Sequence, residues 1–338
     1  MPGAQINPML IQQLTNKNIT EIPESPTVSW LPGKYTKLIN KDKSKISTRN
    51  AENIFMIKCN SCQRKGKYNV GLMVVNSDLK NNVKDAANRI QTTGYFRCKH
   101  CNDAGNWEMP PEFKLAPLRL INSENLDEES VTTGKNQIYD GTSHILSSDA
   151  ETHLLHKLRE EPANAFIWNR LGNLYLKGDR PEIAASVFEH SLTLDPKQTE
   201  SHFTLGHLFM EVGNYEKSAY HFKQMLLYAS DYYSMKAEDL REILAAGLQY
   251  LFLIHLETDE KIPFLPTRDE LESAGKVDDM VQSEKGVDVE IIPENMESFY
   301  PFAEMYMGRL RKKLPGRSRT LKIPKQRKSK KRKKKKKK

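Results

Sequence analysis

Four cysteines, Cys59, Cys62, Cys98 and Cys101, carry the most legible chemistry in this 338-residue chain. They form two C-x2-C pairs separated by thirty-five residues, with no thiol left over. Their surroundings are duplicated, reading IKCNSCQRKGKY over 57–68 and FRCKHCNDAGNW over 96–107. Each copy sets an apolar residue two before the first Cys, a basic residue one before it, a Gly four after the second Cys and an aromatic two beyond that Gly. Two thiolates so spaced reach one metal ion if the chain turns tightly between them. Gly66 and Gly105 are expected to supply the positive φ that sends the chain back out. Ile57, Phe96, Tyr68 and Trp107 are expected to cover a site too small for a core of its own. Four sulfurs complete a tetrahedron with no open position, the pattern of a structural zinc site. A redox pair would instead be a single C-x2-C opening a helix after a strand. His100, between two ligands of an already full site, reads as a solvated side chain.

The matched knuckles resemble the zinc-ribbon class over about 53–109, with a longer intervening loop than compact ribbons have. In that loop Tyr68, Val70, Leu72 and Val74 alternate as a strand would, and Leu79, Val83, Ala86 and Ile90 fall at helical spacing. Gly94 then starts the strand into the second knuckle. Arg64, Lys65, Lys67, Arg97 and Lys99 cluster there beside Tyr68 and Tyr95, which is the residue mixture that single-stranded nucleic acid uses. The same cations would equally neutralise a zinc–tetrathiolate centre of formal charge −2, and both readings stand.

From about residue 149 the period changes. Trp168, Leu171, Gly172 and Tyr175 spell W-x2-L-G-x2-Y, followed by Ala184, Phe188 and Pro196. A shift of 34 residues brings Leu205, Gly206 and Phe222 into register, with His202 in place of Trp168; the reverse shift finds Pro162, Leu154 and Ala150. Over 149–230 the chain resembles the tetratricopeptide-repeat family, whose motif residues pack helix pairs and carry no chemistry. A capping box at Ser148 and Glu151 is expected to open the first helix. An apolar stripe over 238–256 would cap the array. The resemblance implies a concave groove for a protein or peptide partner, lined by Asn169, Asn173, Leu176, Phe203, His207 and Met210. The family's chaperone-tail binders hold a terminal carboxylate with a lysine where Asn169 stands, so that activity is not implied; Asn173 does match.

Charge is segregated. Residues 1–122 hold 18 basic and 9 acidic side chains, 123–310 hold 16 and 34, and 311–338 hold eighteen basic and none acidic. The tail is a polycation that repels itself and attracts phosphate without base selection, and RNA is the preferred target. The organisation expected is an extended, poorly ordered segment at 1–50, a zinc-ribbon-like domain at 51–122, a linker at 123–147, the helical domain at 148–257, an acidic linker at 258–293, a helix at 294–314 and a disordered tail at 315–338. The fold class is multidomain α+β, a small β domain followed by an all-α array. The longest apolar run, 243–254, is too short for a bilayer span of about 20 residues. Paired cysteines without a secretory leader point to a reducing intracellular setting, cytoplasmic or, in a eukaryote, nuclear. No phosphate loop, nucleophile elbow or zinc-protease motif occurs, and seven histidines scatter over the helices without acidic partners at catalytic spacing. The expectation is a non-enzymatic adaptor with no small-molecule substrate, a structural zinc, a docking array and a nucleic-acid-attracting tail. The rival is a nucleic-acid-binding protein whose zinc module is the reader.

Overall fold

The computed structural model describes residues 5–50, 52–75, 90–115, 130–276 and 290–321. It divides into two compact units, 1–221 and 222–338.

The first unit begins with two short helices, α1 (Pro8–Thr15) and α2 (Tyr35–Lys41). Among the described residues six strands follow: β1 (Ile54–Cys59), β2 (Lys65–Asn69), β3 (Met73–Val75), β4 (Ile90–Thr92), β5 (Trp107–Glu108) and β6 (Val131–Thr133). Helices α3 (Ser147–Glu160), α4 (Ala165–Lys177), α5 (Pro181–Leu194) and α6 (Thr199–Glu211) form the array, and α7 (Tyr215–Tyr228) runs across the unit boundary. A small β region followed by helices is the α+β arrangement expected.

The strands make two three-stranded sheets, ordered β2-β1-β5 and β4-β3-β6. In the first, all pairs are antiparallel, with Ile57 opposite Gly66 and Cys59 opposite Trp107. The alternating run expected through residues 68–74 is split at Gly71, whose φ of 64° turns β3 into the second sheet. There β3 pairs parallel with β6, with Met73 opposite Val131. So the expected linker at 123–147 contains a strand at Val131–Thr133, whose first side chain is buried. The helix expected around Leu79, Val83 and Ala86 lies outside the described residues. No strand leads into the second knuckle; Gly94 is there because a Cβ would meet the Val70 carbonyl carbon at 2.6 Å.

The segment at 1–50, expected to be poorly ordered, is part of the core. Ile6, Leu10, Ile11 and Ile39 are fully buried with Leu154, Leu171 and Phe188 of the array. Asn7 caps α1 by accepting from the Met9 amide at 3.0 Å, and Pro8 occupies the first turn, where a missing N–H costs nothing. The Thr36 hydroxyl donates to the Glu182 carbonyl, seating α2 on α5. In α4 and α5, Gly172 faces the Phe188 ring at 2.5 Å from where a Cβ would stand, the close approach the repeat pattern requires.

The second unit centres on α8 (Ala237–Glu257), against which a 3-10 turn (Met296–Phe299), α10 (Tyr300–Tyr306) and a second 3-10 segment (Gly308–Lys313) pack. The single helix expected at 294–314 is broken at Gly308, φ 52°. Within the expected acidic linker, α9 (Arg268–Ser273) forms because Thr267 and Glu270 cap each other. Nor does loose chain begin at 315. Glu304, 1% exposed, accepts from the Thr320 amide at 2.8 Å, the Thr320 hydroxyl at 3.0 Å and the Leu321 amide at 2.9 Å. Arg241 donates to the Ser318 carbonyl at 2.6 Å. Residues 322–338 lie outside the description.

Candidate metal centre

Strand β1 delivers Cys59 at its last position, and β5 returns beside it. One sulfur from each of Cys59, Cys62, Cys98 and Cys101 lies within 4.8 Å of every other. The Cys59–Cys101 and Cys62–Cys98 separations are 3.7 and 3.6 Å. A tetrahedron with metal–sulfur bonds of about 2.3 Å has edges of about 3.8 Å, whereas a disulfide requires about 2.05 Å. The geometry is compatible with a four-thiolate metal site.

Backbone donors complete the knuckles. The amides of Ser61 and Cys62 face Cys59, and those of Cys101 and His100 face Cys98, the latter at 3.4 Å. Burial raises Cys59, and raises Cys101 to about 12. At Cys98 burial again pushes upward, but the Cys101 and His100 amides together with the Cys101 and Cys62 thiols bring it down to about 7. Cys59 and Cys101 are thus held as neutral thiols, which would give up their protons only to a bound cation. The reversing residues are not the glycines expected: Gln63 (φ 62°) and Asn102 (φ 60°), each directly after a knuckle's second cysteine, take the left-handed conformation. Neither Gly66 nor Gly105 has positive φ. Asparagine tolerates that region because its side chain bonds locally. Asn102 goes further, donating to the Ile6 and Glu24 carbonyls at 2.9 and 2.7 Å.

Ile57, Tyr68, Phe96 and Trp107 cover the site as expected, with the Tyr68 ring 5.5 Å from Phe96 and 5.0 Å from Trp107. This removes Tyr68 from the candidate nucleic-acid contacts, because the ring is 3% exposed and its hydroxyl accepts from the Lys99 amide. Arg97 is removed too: its guanidinium reaches Glu151 at 3.2 Å and the Asn102 carbonyl at 2.9 Å. Arg64, Lys65, Lys67 and Lys99 remain exposed.

Glu151 is the residue the motif reading placed wrongly. It is fully buried and accepts from Asn7 Nδ2 at 2.9 Å, Tyr95 Oη at 2.8 Å, Arg97 at 3.2 Å and the Tyr175 hydroxyl. Burial and the adjoining Glu151 carboxylate push both phenols up, keeping them proton donors. Three regions meet here: the N-terminal segment, the second knuckle and the helix pair α3–α4. The expected capping box does not form, since Ser148 is buried with its hydroxyl on the Ala104 carbonyl, and the Leu146 amide finds Asp149 at 3.3 Å instead. A signal existed. Glu151, Leu154, Leu155 and Leu158 lie at i, i+3, i+4 and i+7, so the glutamate stands in the apolar stripe.

Among the expected groove residues, Asn169 is fully buried, donating to Ser201 Oγ at 2.9 Å and accepting from Asn173 at 3.2 Å. His207 is engaged by Arg49 at 3.3 Å and Glu211 at 3.3 Å. The backbone around it is strapped down, with the Ser47 amide on Glu211 and the Arg49 amide on Asp179. Asn173 lines a cavity of about 320 Å³ walled on its other side by Asn136–Tyr139. Leu176, Phe203 and Met210 are half-buried. No protein-family model, curated protein or solved structure matches this chain. Among the described residues, no helix is long and apolar enough to cross a membrane.

Proposed function

We propose that this chain is a non-enzymatic adaptor. A zinc-ribbon-like module and a short tetratricopeptide-type array act as one mount that docks a protein segment, and the polybasic tail holds it near nucleic acid. The observation that carries this reading is the Glu151 cluster. Its ligands come from the knuckle, the array and the N-terminal segment together, as expected of a rigid platform and not of separate modules on linkers. Zinc is the ion we assign, from four sulfurs all within 4.8 Å of one another with no further ligand needed, and Cys59, Cys62, Cys98 and Cys101 would hold it. Bound there it would be structural, and its four ligands would then hold the turns that present Arg97 and Asn102. The burial of Tyr68 and Arg97 weighs against the rival reading in which the zinc module reads bases.

Docking falls to Leu176, Phe203 and Met210, the apolar groove positions, each half-buried. Affinity capture with the full chain, with and without nuclease, tests this against Phe203→Ala with Met210→Ala. The adaptor reading expects nuclease-resistant partners that the double variant loses. A partner set that is entirely nuclease-sensitive, or unchanged in the variant, contradicts it.

A further inference from the structure

A cleft of about 740 Å³ opens between three parts of the first unit, within the range of ligand pockets, about 300–1,000 Å³. One wall is the N-terminal segment with Thr27, Ser29 and Asn40. Another is the cysteine module with Lys67 and Lys99. The third is the turn after α4, from Gly178 to Glu182. Its charges are unequally committed. Glu182 is 1% exposed and answered twice, by Lys43 and Arg180, each at 2.8 Å. Asp179 accepts from the Arg49 amide at 2.9 Å. By contrast, Lys67 and Lys99 take part in no ion pair among the described residues, and neither do Arg64 and Lys65 just outside the cleft.

Lys99 is held in place nonetheless. Its ammonium donates to the Lys67 carbonyl at 2.5 Å and stands 5.1 Å from the centre of the Tyr68 ring. A filled four-thiolate zinc site carries −2, which two of these four cations suffice to offset. The others are surplus. Lys65 and Lys67 share one face of β2, two strand rises or about 6.8 Å apart, so the positive charge continues out of the cleft along the strand. The aromatic rings bordering the cleft, Tyr68, Tyr95 and Phe96, are all buried and offer no stacking platform. Hydroxyl and amide groups on the opposite wall suit sugar and phosphate oxygens.

We infer that this cleft holds the phosphodiester backbone of a single-stranded nucleic acid, with Lys67 and Lys99 on successive phosphates and no selection among bases. The inference rests on the adaptor reading only in that the tail delivers the same polyanion. Lysine acylation of the full-length, metal-loaded chain, read by mass spectrometry with and without a short single-stranded RNA, tests it. Lys67 and Lys99 should be protected severalfold, while Lys37 and Lys41 on α2 react unchanged. In Lys67→Gln with Lys99→Gln, the slope of log affinity against log salt should fall by about 1.4, two contacts at about 0.7 each. Single-stranded DNA should behave as RNA does. Unprotected Lys67 and Lys99 with an unchanged slope would overturn the assignment even if partner capture succeeds. Equal protection by polyglutamate would overturn it in favour of an acidic protein.

Discussion

Replacing Glu151 by glutamine removes one charge from the centre of the first unit and leaves the side chain's volume intact. Four donors lose their anion together. Arg97, with its side chain 12% exposed, becomes a buried unpaired cation. The two phenols and the Asn7 amide keep at best a neutral acceptor. Hydrogen bonds to a charged group are worth about 1.5–3 kcal/mol each, but four around one carboxylate do not add. The nearer guide is the cost of breaking a buried pair, about 3–5 kcal/mol. Urea unfolding followed by far-ultraviolet circular dichroism should register that loss for Glu151→Gln. A double-mutant cycle with Arg97→Met isolates the pair, since the double variant removes both charges and should recover part of the loss. A loss under about 1 kcal/mol, or strictly additive single effects, would refute the idea that this carboxylate ties the knuckle to the array.

Three further outcomes are expected. Burial holds His202 down to about 4 and His221 to about 2, against about 6.5 when unfolded, and their Nδ1 atoms lie 2.9 Å apart. Both must therefore be neutral in the fold, so stability is full above about pH 6.5 and falls as pH drops toward 4. At pH 5, His202 alone should cost about 2 kcal/mol at 1.36 kcal/mol per unit; a urea midpoint flat from pH 7 to 5 would contradict this. Gly178→Ala should destabilise by about 1–3 kcal/mol, because the new Cβ would stand 2.5 Å from Tyr95 Cβ; an unchanged melting temperature would count against the close approach. Glu304→Gln should expose the Ser318–Leu321 strap to proteolysis, since three donors there rely on that carboxylate, and unchanged cleavage kinetics in that stretch would show that the strap is held otherwise.

The cysteine pairs and the helix pairs were legible because both are written locally: one by duplicated flanks, the other by a 34-residue period that ordinary packing imposes. What joins them was not. Asn7 and Glu151 are 144 residues apart, and no pattern within either neighbourhood announces the contact. The N-terminal helices were hidden for a related reason. Eight and seven residues are too few to hold a helix alone, and their apolar residues gain meaning only from the array they cover. Composition read Tyr68 and Arg97 as available because a basic–aromatic mixture looks alike whether it faces water or metal. The turn conformations fell to Gln63 and Asn102, since the second cysteine sets where the chain must reverse and the glycines come three residues later. Glu151 could have been found, as a charged residue standing in an apolar stripe.

The most direct test follows metal content and array stability in the same full-length sample. Purified protein should contain one equivalent of zinc, and stripping it with a chelator should lower the urea midpoint of the helical signal, with zinc restoring both. Protein that holds no divalent ion, or loses it with no change in that midpoint, would contradict the account.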